Sequence, residues 1–174
     1  KALKRKMQDL RALLAEELTT QAESDQLRAL LDFGEDRVFP RDVQLVTARV
    51  VARSTSAWYS TATISAGSSD GVDVYDTVVN GQGLVGRVTK VNANAAQVLL
   101  VTDQQGFVDA MVEPGGAQGL TSGSVTGDVT LEYVDKNEKV EVGQDVVTSG
   151  RNGSVFVKGI LVGQVASVVQ QDVE

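Results

Sequence analysis

Apolar residues recur on two different periods along this chain, one helical and one alternating. From Lys1 to Asp32 there is neither Pro nor Gly, and Leu3, Met7, Leu10, Leu14 and Leu18 follow a 4-3-4-4 spacing down one side. That spacing predicts a helix, and the Glu, Lys, Arg, Gln and Ala residues at the other positions are good helix formers. At 1.5 Å per residue such a helix extends roughly 45 Å. The repeat falters at Thr19, Thr20 and Gln21 and resumes at Leu27, Leu30 and Leu31, the mark of a weak coiled coil or a stutter. The seam is narrow and no second helical segment follows, which favours a partner helix over packing on the chain's own β body. Leu3, Met7, Leu10, Leu14 and Leu18 are therefore the candidate self-association residues. Phe33-Gly34 supplies a C-terminal stop, and Pro40 bars continuation.

From Val43 the period changes. Val46, Ala48, Val50 and Ala52 alternate with Thr47, Arg49, Val51 and Arg53, which predicts a strand with one buried face. Further strands are predicted over 58–65, 74–80, 84–91, 97–102, 107–112, 129–134, 145–148 and 160–169. Gly67-Ser68-Ser69-Asp70-Gly71, Pro114-Gly115-Gly116 and Asn152-Gly153 punctuate them. Many short strands joined by such turns indicate a sandwich or barrel. The expected architecture is mainly β: a coiled-coil α-helix over 1–33, a linker over 34–42, a first small β-barrel over 43–112 and a second over 113–174. Whether the last strand returns to the first barrel is open at this stage.

A weak internal echo supports two similar barrels. Gly71, then Asp76-Thr77-Val78-Val79 and Gly83-Leu84-Val85-Gly86-Arg87-Val88, is echoed by Gly143-Gln144-Asp145-Val146-Val147 and Gly159-Ile160-Leu161-Val162-Gly163-Gln164-Val165. Glycine inside a strand marks a bulge or a sharp bend, so Gly86 and Gly163 are expected to serve as bend residues and Gly71 as a turn residue.

Composition narrows the chemistry. With neither Cys nor His, the chain offers no disulfide, no thiolate metal site and no imidazole base near neutral pH. No Ca²⁺-loop pattern occurs, so neither a metal site nor a cofactor is expected. Residues 1–42 carry eight basic and nine acidic groups, and the remainder carries eight and fourteen. A β body of net −6 repels phosphate backbones, so no nucleic-acid partner is expected. Lys1, Lys4, Arg5 and Lys6 form the basic cluster, read as a solvated helix face. No apolar run reaches membrane-spanning length and no signal-peptide pattern occurs. Because the chain begins at Lys, a fragment lacking an upstream targeting segment is expected.

Three patterns resemble catalytic motifs and are better read as turns. Gly67-Ser68-Ser69-Asp70-Gly71 fits G-x-S-x-G, but a nucleophile elbow needs a strand before the Ser and a helix after it, and a strand follows here. Without His, Ser69 lacks an evident activator. Gly81-Gln82-Gly83-Leu84-Val85-Gly86 fits G-x-G-x-x-G, yet the phosphate grip of that motif depends on a helix N-terminus, and Arg87 to Val91 alternates as a strand. Asp135, Glu138 and Glu141 read as charged turn residues.

The same segments in order carry a family resemblance. Arg53-Ser54, Trp58-Tyr59, Gly67-Ser68-Ser69-Asp70-Gly71-Val72, Val78-Val79-Asn80, Gly83 to Val88, Val98-Leu99-Leu100-Val101-Thr102-Asp103, Val146-Val147-Thr148-Ser149-Gly150 and Lys158 to Val165 together resemble the ectodomain of the rod shape-determining MreC family. Two departures stand out: Gln144 separates Gly143 from Asp145, and Val157 precedes Lys158-Gly159 where the family has Pro.

The resemblance implies a non-enzymatic, cell-shape scaffold, anchored in the cell membrane by a single N-terminal segment missing here, with its ectodomain in the periplasm or the extracellular wall zone. It implies a homodimer or filament that binds and activates a class B penicillin-binding transpeptidase beside RodA, MreD and MreB. Trp58, Tyr59 and Tyr75 are candidate partner-face residues, since interfaces enrich aromatic side chains, although a core role fits them as well. Two rival classes are weaker. A serine hydrolase at Ser69 lacks a base, and an adaptor of an efflux or secretion system needs two helical arms where the sequence predicts one.

Overall fold

The computed structural model describes residues 2–35, 43–55, 60–151 and 153–169. The chain divides into two units, Lys1–Val43 and Gln44–Glu174. In the first, helix α1 spans Ala2–Glu35 and runs through the faltering repeat without a break. There the hydroxyls of Thr19 and Thr20 donate to the carbonyls of Ala15 and Glu16, at 2.8 and 2.9 Å. Each thus finds its partner one turn back, inside the helix.

The second unit is built from ten strands: β1 (Val50–Thr55), β2 (Ser60–Ile64), β3 (Thr77–Asn80), β4 (Gly83–Val91), β5 (Ala96–Leu100), β6 (Val108–Glu113), β7 (Gln118–Gly123), β8 (Val129–Glu132), β9 (Asp145–Thr148) and β10 (Leu161–Gln164). They form two antiparallel five-stranded sheets in the orders β1-β2-β5-β4-β3 and β10-β9-β6-β7-β8. The architecture is mainly β with two sheets and an N-terminal helix. β6, which the pattern grouped with the first barrel region, pairs with β7 and β9 and so belongs to the second sheet. β10 pairs with β9 in that same sheet.

Two local expectations need correction. The alternation over 46–52 buries Val46 and Ala48 partly, against the first core, but β1 itself starts at Val50 and its Val50 and Val51 are 65 % and 61 % exposed. β1 is an edge strand, and a bulge between Val50 and Ala52 breaks the period that the sequence displays. The sequence reading also omits β7, Gln118-Gly119-Leu120-Thr121-Ser122-Gly123, because two glycines and three polar residues mimic a loop. Its glycines are required by proximity: a Cβ on Gly119 would fall on the Glu132 carbonyl, and one on Gly123 on the Thr102 backbone.

The echo takes the form of one repeated bulge. Gly86 pairs with Val78 and Leu84 with Val79, leaving Val85 unpaired between them. Gly163 likewise pairs with Val146 and Leu161 with Val147, leaving Val162 unpaired. The two bend glycines nevertheless differ. A Cβ on Gly86 would strike the carbonyl oxygen of Leu99 on β5, whereas nothing lies within 4 Å of the corresponding point at Gly163. The strand is bulged before Gly163, and no steric demand for glycine accompanies the bulge.

Three apolar clusters fill the unit. Ala62, Ile64, Val88, Val98 and Leu100 centre the first sheet's core, and Ala110, Val112, Ala117 and Val146 the second's. A third cluster joins Leu84 of β4 to Val108, Phe156 and Ile160 of the second half, with Val79 packed against it. Burial of Leu84, Val108, Phe156 and Ile160 stabilises the fold by about 1.5–3 kcal/mol per side chain, so the third cluster binds the two halves together.

Candidate partner-binding surface

The helix seam is open to solvent. Met7, Leu14 and Leu18 are 53 %, 57 % and 60 % exposed, and Leu13 and Leu27 are exposed with them. The side chains of Leu3 and Leu10 lie outside the described residues. Exposed apolar side chains of this kind leave unburied surface that would otherwise contribute to folding.

Of the three aromatic candidates, Trp58 and Tyr59 lie outside the described residues. Tyr75 is described and is 58 % exposed. It occupies the left-handed region at φ 78°, which costs a non-glycine residue about 1–3 kcal/mol. The surrounding turn over-determines that conformation. The Tyr75 N–H donates to the Val88 carbonyl and the Val88 N–H to the Asp76 carbonyl, both at 2.9 Å, while the Asp73 N–H reaches Asp76 Oδ2 at 2.8 Å. The guanidinium carbon of Arg87 stands 6.0 Å from the ring centre, a cation–π distance. Arg87 Nε is buried without an acceptor. The ring is therefore held outward by backbone and by charge. Tyr133, beyond β8, also takes a left-handed conformation, at φ 61°, with an exposed ring; the alternation of Val129, Leu131 and Tyr133 marks it as a strand residue, which is why the sequence did not single it out as a surface aromatic.

The motif-like segments resolve into turns. Ser68–Asp70 is a single 3-10 turn, with Asp70 Oδ2 accepting the Gly67 N–H at 2.9 Å and Gly71 in the left-handed conformation at φ 86°. The Ser68 and Ser69 N–H groups donate to Asn92 and Ala93, both at 3.0 Å, which docks the turn against the loop after β4. Gly71 ends that turn, its N–H donating to the Ser68 carbonyl at 3.2 Å. In the G-x-G-x-x-G segment Asn80 Oδ1 accepts the Gln82 and Gly83 N–H groups at 2.9 and 3.0 Å, closing a β3–β4 hairpin with no helix after it. Asp135 Oδ1 accepts the Asn137 N–H at 2.9 Å, as a turn residue does. Among the described residues no three His, Cys, Asp or Glu side chains converge as metal ligands, and no helix is long and apolar enough to cross a membrane. A shallow depression of about 550 Å³ lies by the β6–β7 turn, lined by Met111, Glu113, Pro114, Gly115, Gly116 and Asp145. Its two carboxylates sit opposite each other across β6 and β9.

These features define a two-sheet antiparallel β protein preceded in the chain by a helix with exposed apolar side chains. Residues 50–174 match the family model for the rod shape-determining protein MreC, barrel core. The chain is 35 % identical over 164 residues to the cell shape-determining protein MreC of Cereibacter sphaeroides, covering 94 % of this chain and 53 % of that protein. The solved MreC of Listeria monocytogenes aligns with a TM-score of 0.65 at 31 % identity, over 95 % of this chain and 80 % of that one. MreC solved in complex with the penicillin-binding protein PBP2, from Helicobacter pylori, shares the fold at a TM-score of 0.50 and 17 % identity, over 62 % of this chain and 67 % of that one. The chain belongs to the MreC family of cell shape-determining proteins. It spans about half the length of the curated relatives it matches.

Proposed function

We propose that this chain is the ectodomain of a non-enzymatic cell-shape scaffold that self-associates through α1 and binds a class B penicillin-binding transpeptidase through its β unit. In this reading the helix forms a coiled coil with a second copy, and the two sheets act as paired small barrels. A single upstream segment anchors the protein in the cell membrane, with the β unit in the periplasm or the wall zone. RodA, MreD and MreB are the further members of the assembly. The family match over residues 50–174 carries the reading, and the exposed Met7, Leu14 and Leu18 seam supports its self-associating part. The scaffold acts by population shift: binding the active conformation of the transpeptidase more tightly by about 1–3 kcal/mol raises its occupancy about 5- to 150-fold. No bond-making side chain is needed for that.

The test is capture of the transpeptidase by this chain, with the helix variant Leu14→Glu and the face variant Tyr75→Ala alongside. Capture by the wild type, reduced by Tyr75→Ala, is expected, as is a fall in mass at micromolar concentration for Leu14→Glu by analytical ultracentrifugation. Absence of capture by the wild type would remove the transpeptidase from the reading. An unchanged mass for Leu14→Glu would remove the seam.

A further inference from the structure

Strand β4 sends alternate side chains to opposite faces of the first sheet, and Val88 enters that sheet's core while Arg87 takes the other face. There Arg87 lies between its pairing partners, Thr77 of β3 and Leu99 of β5. Its guanidinium Nε is buried without an acceptor, and among the described residues Arg87 joins no ion pair. A buried donor without a partner destabilises a fold, and a guanidinium cannot relieve this by losing its proton. The neighbouring Tyr75 adds a second unfavourable feature, the left-handed backbone at φ 78°. Strain and unsatisfied donors gather where a protein acts on other molecules.

The surroundings specify the occupant. The Tyr75 ring stands 6.0 Å from the guanidinium carbon and is exposed, as is Val74 beside it in the chain. Val155 of the second half is tied to Thr77, whose Oγ1 donates to its carbonyl at 3.3 Å, and is exposed as well. One cation thus sits among apolar and aromatic groups. Asp73 and Asp76 flank Tyr75 in its turn, and Asp76 Oδ2 accepts the Asp73 N–H at 2.8 Å instead of pairing with Arg87. Those carboxylates, on a β body of net −6, disfavour a doubly charged anion such as phosphate. A single carboxylate matches a single guanidinium, whose planar fork suits its two oxygens.

We propose that Tyr75 and Arg87 form a binding site for an acidic peptide segment, in which the guanidinium receives an Asp or Glu carboxylate and the Tyr75 ring, beside Val74 and Val155, takes the apolar side chain that follows. The carboxylate supplies the acceptor that Arg87 lacks within the chain. The bonds of the Tyr75 turn hold the ring outward before any peptide arrives, so the site is preorganised. Charge makes the contact selective and salt-sensitive, and the ring makes it more than an ion pair. The site specifies the chemistry of a partner at the Tyr75 face and does not depend on that partner being the transpeptidase.

The test is an NMR titration of the whole isotopically labelled chain with the capped dipeptide acetyl-Asp-Phe amide. It follows the Nε–H signal of Arg87, identified by its absence from Arg87→Gln, and a saturable shift is expected. Acetyl-Asn-Phe amide, which keeps the shape and drops the charge, and inorganic phosphate should each bind at least about tenfold more weakly, the equivalent of about 1.4 kcal/mol. Raising salt from about 0.01 M to about 0.15 M should weaken the Asp peptide, as the screening length falls from about 30 to about 8 Å. Tyr75→Gly, which admits the left-handed backbone and removes the ring, should weaken it about two- to fivefold with the Arg87 signal still present. In Arg87→Gln the Tyr75 ring signals read the same titration and should no longer respond. Urea midpoints establish that both variants are folded. No saturable shift, an equal response to the Asn peptide, phosphate binding as tight as the Asp peptide, or undiminished binding by either folded variant overturns the proposal.

Discussion

Replacing Gly86 and Gly163 with Ala, one at a time, separates two glycines that occupy the same bulge in the same Leu-Val-Gly sequence. At Gly86 the added methyl falls on the Leu99 carbonyl oxygen, which is backbone of the neighbouring strand and cannot rotate away. β4 and β5 must part or the bulge must move, and overpacking of this kind costs about 1–3 kcal/mol, occasionally more. At Gly163 no heavy atom lies within 4 Å and φ is outside the left-handed region, so Ala adds no clash. There the substitution restricts the unfolded chain and stabilises the fold by about 0.4–1 kcal/mol. The two variants should therefore differ by about 1.4–4 kcal/mol, a factor of about ten or more in the folding equilibrium. Urea denaturation followed by circular dichroism reads this as midpoints roughly 1 M apart, with Gly86→Ala below wild type, Gly163→Ala at or above it, and a common slope of about 1–3 kcal/mol/M. Equal midpoints, or a larger loss at Gly163, would refute the account of which strand crowds which glycine.

Two further outcomes follow from buried groups. Asp103 is 2 % exposed, and its carboxylate accepts the N–H of Ser60, the first residue of β2, and that of Gln105 at 2.8 Å. Asp103→Ala should cost about 1–3 kcal/mol for each N–H left without an acceptor, and Asp103→Asn, which keeps one acceptor oxygen, should cost less; a chemical-denaturation series of the three proteins checks the order. Ile160→Ala should cost about 2–5 kcal/mol and, because its cluster includes Leu84 of the first sheet, should weaken both sheets together. Hydrogen exchange of β5 and β9 amides should accelerate in parallel; protection lost in β9 alone would mean that the halves unfold separately.

Legibility in the sequence followed the range of the interaction that fixes each element. α1, the hairpin after Asn80 and the Gly67–Gly71 turn are set by groups a few residues apart, and helical spacing, Asn80 Oδ1 and the Asp70 cap make them readable. Strands with one face in a core, such as β4 with Leu84, Gly86 and Val88 buried, keep their alternation and are readable too. β7 and β1 are not. β7 looks like a loop because its glycines answer to Glu132 and Thr102, which lie close in space but apart in the chain, and β1 looks half-buried because nothing in its alternation reveals that it ends a sheet. The candidate surface divides the same way. The apolar spacing along α1 is local and readable, while the hydrogen bond from Tyr75 to Val88 and the approach of Arg87 to its ring depend on a strand pair and are not.

Gly86 and Gly163 carry this furthest. Their neighbours, pairing partners and bulges correspond, and yet one is sterically obligatory and the other is not, because β4 has β5 on its far side and β10, at the end of its sheet, has no hydrogen-bonded strand there. A repeated motif thus specifies its own bend, while the order of strands around it decides whether that bend is crowded.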